Sequence, residues 1–314
     1  MSAGRSYDYA IDELWGLLNA ADLDAGVRDL RVRYVCALFA ELAYHHIPKW
    51  EMDEQHRAKV IPCEAYDELR RLGRSSALAQ GALRGLDFPE AFTIEDRGVI
   101  AVGVEVSDVV FIGFRGTMFL YDWKINARSQ LVPVGPRFDD PFGRVHAGFA
   151  EEALRISLKI GDVLREKGLG DRRLVLSGHS LGGAVAALAR NSNVLWSSEI
   201  CIFGSPRYAD LAAYAARPTR PPLHVRRATD EIPTVPPKRL GYIDHPYDFT
   251  TGGTPFIQAE AGSARLLRTR SWAKFVHGRF AAHSMETYRG ELGFAAGAQA
   301  ANLKLTDFDR LTKN

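Results

Sequence analysis

Gly178-His179-Ser180-Leu181-Gly182-Gly183-Ala184 is the stretch whose reading decides the fold. It carries the pattern G-x-S-x-G. The apolar run Leu174-Val175-Leu176 precedes it, and the small, helix-compatible segment Ala184-Val185-Ala186-Ala187-Leu188-Ala189 follows. Strand, sharp turn and helix are the setting that holds a serine on a strained turn with its hydroxyl presented for attack. The glycines two before and two after the serine have a steric reason, because the turn brings backbone so close that side chains there would clash. The helix that begins at the serine aims its free N–H groups and positive dipole end at developing negative charge. Ser180 is therefore the candidate nucleophile, and the bland alternative is an idle serine in a tight turn.

Working outward, the hydrophobic patterning alternates between strand and helix. Residues 99–106 and 109–114 are β-branched runs separated by Ser107-Asp108, which predicts a hairpin. Residues 149–167 predict an amphipathic helix ending near Gly168-Leu169-Gly170. Ile200-Cys201-Ile202-Phe203 predicts a short buried strand, and residues 223–227 a weaker one. Such alternation implies an α/β fold with parallel strands at the centre of its sheet. Residues from about 8 to 85 read as helical, with Val35, Leu38, Phe39 and Leu42 at helical spacing. Residues 232–280 read as irregular and 283–296 as helical again. No linker, repeat or low-complexity tract divides the chain, so 1–314 reads as a single domain. A helical portion, 1–85, is expected to pack on a catalytic core at about 90–296.

Composition narrows the function classes. With 314 residues, 46% of them hydrophobic, the chain can bury a large core. A net charge of +2, from 40 basic and 38 acidic residues, is no footprint for nucleic acid. The first residues lack an apolar signal core, and no run approaches a membrane span, which predicts a cytoplasmic protein. Of the three cysteines, Cys36 and Cys201 lie in apolar runs and Cys63 precedes a helix-like stretch. They read as free thiols in a reducing compartment.

A serine hydroxyl needs a base within hydrogen-bond reach, and the base needs an orienting acid. Asp230 is the favoured acid, because it follows a strand candidate and precedes a proline-rich turn; Glu231, Asp210 and Asp244 compete with it. His45, His46, His56 and His146 precede the serine, and the ring of His179 is expected to point away from it. His224, His245, His277 and His283 remain, with His283 ahead of His245 and His277 because it opens a helix after a loop. The oxyanion donors should be the Leu181 N–H and a second group near Phe114-Arg115-Gly116-Thr117, where Thr117 adds a hydroxyl. Arg115, Trp123 and His146 read as scaffolding, and no metal or cofactor is expected.

These residues carry a resemblance. The chain resembles the class 3 lipase family, the fungal-lipase type of α/β-hydrolase. Phe114-Arg115-Gly116-Thr117 with Asp122-Trp123 resembles its oxyanion block, and His146-Ala147-Gly148-Phe149 its H-x-G-F block. Gly178 to Ala184 matches its elbow, and Phe203-Gly204-Ser205-Pro206-Arg207 its F-G-[SA]-P-R block. Asp230 with Ile232-Pro233, then Gly241-Tyr242, and finally His283 with Tyr288 complete the order. The spacings are 230 − 180 = 50 and 283 − 230 = 53 residues. The resemblance implies an α/β-hydrolase with Ser180, Asp230 and His283 as a catalytic triad. It implies hydrolysis of carboxylic esters of lipids, an acylglycerol lipase, esterase or phospholipase A, at a membrane or lipid-droplet surface. The alternatives are an acyltransferase using the same triad and an inactive lipid-binding relative. It also implies a lid after the oxyanion block, where Phe119 and Trp123 lie on one apolar face.

Overall fold

The computed structural model describes residues 24–45, 92–96, 99–106, 108–116, 130–133, 143–192, 194–215, 222–256 and 280–297. The expected hairpin is present. β2 (Val99–Val106) and β3 (Val109–Phe114) pair antiparallel, and β1 (Phe92–Asp96) adds a further antiparallel strand beside β2. From β3 onward the sheet is parallel. β6 (Arg173–His179) pairs with β3, then follow β7 (Glu199–Phe203), β8 (Leu223–Arg226) and β9 (Asp248–Thr250). The spatial order is β1-β2-β3-β6-β7-β8-β9, and β4 (Leu131–Pro133) with β5 (Arg144–His146) forms a separate two-stranded sheet. This is the mostly parallel α/β arrangement that the alternation predicts.

Strand periodicity sorts the core into two layers. Val104, Phe111, Val175, Phe203 and Val225 point to one face of the sheet, and Ile112, Phe114, Leu176, Ile200 and Ile202 to the other. Both faces are covered, which is why these strands read as continuous apolar runs rather than alternating ones. Helices α1 (Leu30–Leu42) and α6 (Met285–Ala295) cover the first face. Helices α2 (Ala147–Glu166) and α3 (Leu181–Ala189) cover the second. The short helices α4 (Leu211–Ala215) and α5 (Phe280–His283) lie in the connections.

α1 is buried nearly all round, with Phe39 stacked on Phe111 of β3 at 5.5 Å. Glu41 of α1 and Arg289 of α6 form an ion pair at 2.5 Å, each side chain only 1% exposed. Beyond α1 and the turn at 43–45, the helical portion expected over 8–85 lies outside the described residues, as does Cys63. No helix among the described residues is long and apolar enough to cross a membrane. Cys36 and Cys201 are both free and buried, one on α1 and the other on β7.

His146 has the scaffolding role expected of it. Its Nδ1 accepts from the Phe149 N–H at 3.3 Å, so it caps α2, and its ring stacks on Phe149 at 3.8 Å. Burial holds this imidazole neutral, with its pKa lowered to about 4. Free histidine titrates near 6.5, so between those values the unfolded chain binds more protons and falling pH favours unfolding. His146→Asn keeps a capping acceptor and removes the titration. Urea unfolding of the wild type should weaken from about pH 6.5 to about pH 4, and the variant should lose up to about 3 kcal/mol of that slope. Equal slopes in both proteins would show that His146 is not the group responsible.

Candidate active site

β6 ends at His179 and α3 starts at Leu181, so Ser180 alone makes the turn. Its φ of 57° and ψ of −129° make it the one non-glycine residue with positive φ among the described residues. That conformation is costly for a residue with a Cβ, and it is sustained by close packing on all sides. The Ser180 N–H donates to the Phe203 carbonyl at 2.9 Å. A Cβ on Gly178 would stand 2.4 Å from the Gly182 carbonyl oxygen, and one on Gly182 2.5 Å from that of Phe114. Gly178 is thus required by contact with the start of α3, and Gly182 by contact with the end of β3, as their spacing predicts.

Asp230 sits in the turn after β8, buried, with both carboxylate oxygens occupied. Oδ1 accepts from the Ile232 N–H at 3.0 Å. Oδ2 accepts from His283 Nδ1 at 2.8 Å and from the Tyr288 hydroxyl at 2.7 Å. Burial, then the charge of Asp230, hold the Tyr288 phenol well above its ordinary pKa, so it remains a donor. Its oxygen also accepts from the Arg227 N–H at 3.2 Å. His283 closes α5, and the Arg227 guanidinium holds the Ala282 carbonyl while pairing with Glu291 on α6. With Nδ1–H committed to Asp230, the lone pair of the neutral ring lies on Nε2, which is buried and makes no hydrogen bond among the described residues. The three side chains meet at Gly204, whose φ is +53°. A Cβ there would lie 2.7 Å from Asp230 Oδ2, 3.0 Å from the Tyr288 oxygen and 3.2 Å from His283 Cε1. Only glycine fits where the end of β7 passes beneath this cluster.

The other predicted residues are placed as follows. Leu181 is the first residue of α3, so its N–H belongs to the free donors of a helix start. Gly116 is the last described residue of the oxyanion block, and a Cβ on it would stand 3.0 Å from Ser180 Cβ. Thr117, Phe119, Trp123 and His277 lie outside the described residues. Arg115 is buried. The ring of His179 does not point away, as expected from sequence, but lies 4.5 Å from that of His283. Its Nδ1 is bonded to the hydroxyl of Tyr44 at 2.6 Å. The expectation failed because a residue ending a strand can turn its side chain along the sheet edge, where His283 lies.

The competing groups are engaged elsewhere. Asp210 pairs with Arg144 at 3.1 Å and accepts from the Ala213 N–H at 2.9 Å. Asp244 pairs with Arg207 at 2.6 Å and Lys238 at 2.5 Å. Glu231 follows Asp230 directly, and it is the carboxylate of Asp230 that accepts from His283. His224, His245 and Asp248 offer ligand atoms within 4.8 Å of one another, a spacing a cation could use. Their hydrogen bonds oppose that use. His224 Nε2 accepts from the Ser205 N–H at 2.9 Å, so its proton sits on Nδ1, aimed at Asp248 at 2.9 Å. Arg226 takes the second Asp248 oxygen at 2.7 Å, and His245 Nδ1 accepts from the Tyr247 N–H at 3.2 Å. The lone pairs a metal needs are already spent, and the cluster ties β8 and β9 together.

Sequence reasoning missed Tyr44 and Arg227, the close approach of the cluster to Gly204, and the bond from Tyr288 to Asp230. Tyr288 was visible as part of a block, though its partner was not. Tyr44 gives no signal at all, because its partner lies 135 residues away.

Residues 111–240 match the model of the lipase (class 3) family. The fold is similar to a Rhizomucor miehei lipase propeptide complex at 19% identity and a TM-score of 0.47, covering 69% of this chain and 66% of that one. It is similar to a lipase from Rhizopus microsporus var. chinensis at 21% identity and a TM-score of 0.41, covering 52% and 61%. A mutant of MDLA from Penicillium cyclopium aligns at 19% identity and a TM-score of 0.48, covering 72% and 80%. The chain spans less than two thirds of the length of the Rhizomucor and Rhizopus proteins.

Tyr288→Phe removes one donor from the Asp230 carboxylate and leaves the ring in place. A hydrogen bond to a charged group is worth about 1.5–3 kcal/mol, so labelling of Ser180 by a fluorophosphonate should slow by about tenfold to a hundredfold. Unchanged labelling in a folded variant would reduce Tyr288 to packing.

Proposed function

We propose that this chain, whose residues 111–240 match the class 3 lipase family, is a serine hydrolase that cleaves carboxylic esters of lipids. The observation that carries the reading is the His283 ring, tied to Asp230 through Nδ1 at 2.8 Å while its Nε2 makes no hydrogen bond among the described residues. It stands in the same corner as a serine on a strained turn. A base whose far nitrogen is fixed and whose near nitrogen is open is what a serine nucleophile requires.

In this reading the Ser180 hydroxyl attacks the acyl carbonyl as His283 Nε2 takes its proton. Asp230 holds the tautomer and offsets the imidazolium charge. The Leu181 N–H and the Thr117 hydroxyl donate to the oxyanion, with the positive end of α3 behind them. Collapse of the tetrahedral intermediate expels the alcohol, which takes the proton from His283 and leaves an acyl-serine. Water, deprotonated by the same ring, attacks the acyl carbonyl and returns the serine. The apolar stretch Met118-Phe119-Leu120-Tyr121-Asp122-Trp123-Lys124-Ile125 follows the oxyanion block directly, which supports a lid carrying Phe119 and Trp123 that meets a lipid surface.

The test is a panel of p-nitrophenyl esters, mono-, di- and triacylglycerols and phospholipids, run with and without a competing alcohol. The wild type should release free acid. Ser180→Ala and His283→Ala should each lower kcat by about 10⁴- to 10⁶-fold, with the double variant little worse than either. Transfer of the acyl group to the alcohol in preference to water would replace hydrolysis by acyl transfer. No turnover and no fluorophosphonate labelling of the wild type would leave a lipid-binding protein.

A further inference from the structure

The mechanism above leaves two groups beside the base unused, the buried His179 and the partly buried Tyr44. His179 is 4% exposed, and its ring centroid lies 4.5 Å from that of His283, with 34° between the planes. This is closer than the 5.8 Å that separates His179 from Tyr288. Tyr44 follows α1 and bonds His179 Nδ1 at 2.6 Å. A Cβ on Gly116 would come 2.4 Å from the Tyr44 oxygen, and the Gly116 backbone is itself a hydrogen-bond partner of that hydroxyl. If the Gly116 N–H donates to the phenol oxygen, the phenol proton goes to His179 Nδ1. The imidazole proton then belongs on Nε2, on the side of the His283 backbone. Tyr44 thus selects one tautomer of His179.

We propose that the Tyr44–His179 pair positions the catalytic base: Tyr44 fixes His179 as a neutral ring, and that ring is the face against which the His283 imidazolium rests. The proposal rests on the serine-hydrolase reading, and it deepens that reading by adding a positioning residue on the side of the ring away from Asp230. When His283 takes the serine proton it becomes a cation, and the π-face of a neutral aromatic ring attracts a cation within aromatic contact distance. Burial holds His179 well below the ordinary histidine range, with the nearby His283 acting in the same direction. Were His179 charged instead, two cations would share the contact. The other groups facing His283 are Asp230 from the turn after β8 and Tyr288 from α6. Arg227 lies behind the Tyr288 ring at 6.0 Å. Those facing Tyr44 are Arg115, whose charge favours ionisation of the phenol, and Glu41, which opposes it; burial dominates both and keeps the phenol protonated.

The test compares His179→Phe, which keeps an aromatic face, with His179→Leu, which does not. The pKa of His283 is read in two ways, by nitrogen chemical shifts of histidine-labelled protein and by the acidic limb of kcat/KM for a soluble p-nitrophenyl ester. His179→Leu should lower the His283 pKa by roughly half a unit to one unit, while His179→Phe stays within about 0.2 of wild type. Equal shifts in the two variants, or none in either, would overturn the proposal. Tyr44→Phe removes one oxygen and does not depend on those variants folding. In that protein His179 should change from a single Nε2–H tautomer to a mixture, and kcat should fall about tenfold with KM unchanged. Retention of the single tautomer would overturn the role given to Tyr44. The chemical-shift titration needs no turnover. A wild type that hydrolyses nothing would therefore defeat the hydrolase reading, while the order of His283 pKa values would still decide this one.

Discussion

The buried ion pair between Glu41 and Arg289 is the constraint on which the site's surroundings depend. Both side chains are removed from water, and burial draws the Glu41 carboxyl up to about 7 against the opposing pull of the guanidinium. Deleting one partner of such a pair leaves an uncompensated buried charge and costs about 3–5 kcal/mol. What the pair joins explains its importance. α1 leads directly to Tyr44, and α6 carries Tyr288 between the core residues Met285 and Leu292. The supports of the two adjacent imidazoles therefore hang from helices clamped to each other inside the protein. Arg207 performs a comparable service at the far side of the site. It bonds the Thr234 and Pro236 carbonyls and so fixes the turn that follows Asp230.

The sheet does the remaining alignment. Parallel pairing places His179 opposite Phe203 and Phe203 opposite Val225. Strands in such register end together, and the residues just past their carboxyl ends converge there. Ser180, Gly204 and the turn containing Asp230 are those residues. Each belongs to a different strand, so the geometry of the constellation is a property of sheet register more than of any one loop.

Much of this was legible in the sequence, for identifiable reasons. The elbow could be read because a strained serine between glycines has few structural explanations. The β2–β3 hairpin and the two helices over β6's far face could be read because long runs express their period clearly. Other elements were silent. β9 spans three residues, Asp248, Phe249 and Thr250, with no apolar run, and it exists because β8 offers an edge and His224 and Arg226 hold its aspartate. β4 is equally short and depends on β5 for its partner. The orientation of His179 and the contribution of Tyr44 are tertiary facts, since the residues meet only when α1 docks on the sheet. The choice of His283 over His245 was open from composition. Their surroundings differ in the structure, with one ring against Asp230 and the other among Tyr208, Tyr214 and His224.

Cys36 on α1 and Cys201 on β7 interact through their thiols, fully shielded, and burial together with this neighbour keeps the Cys36 thiol protonated. A protonated, enclosed sulfur is inert towards alkylating reagents. The contact between α1 and the sheet thus contains its own gauge of opening. Modification of either sulfur must wait until the helix lifts from the strand, so the speed of alkylation in native buffer measures how often the N-terminal layer leaves the sheet. That event would also carry Tyr44 away from its histidine, which makes thiol trapping a clock for the same motion that would disassemble the flank of the base.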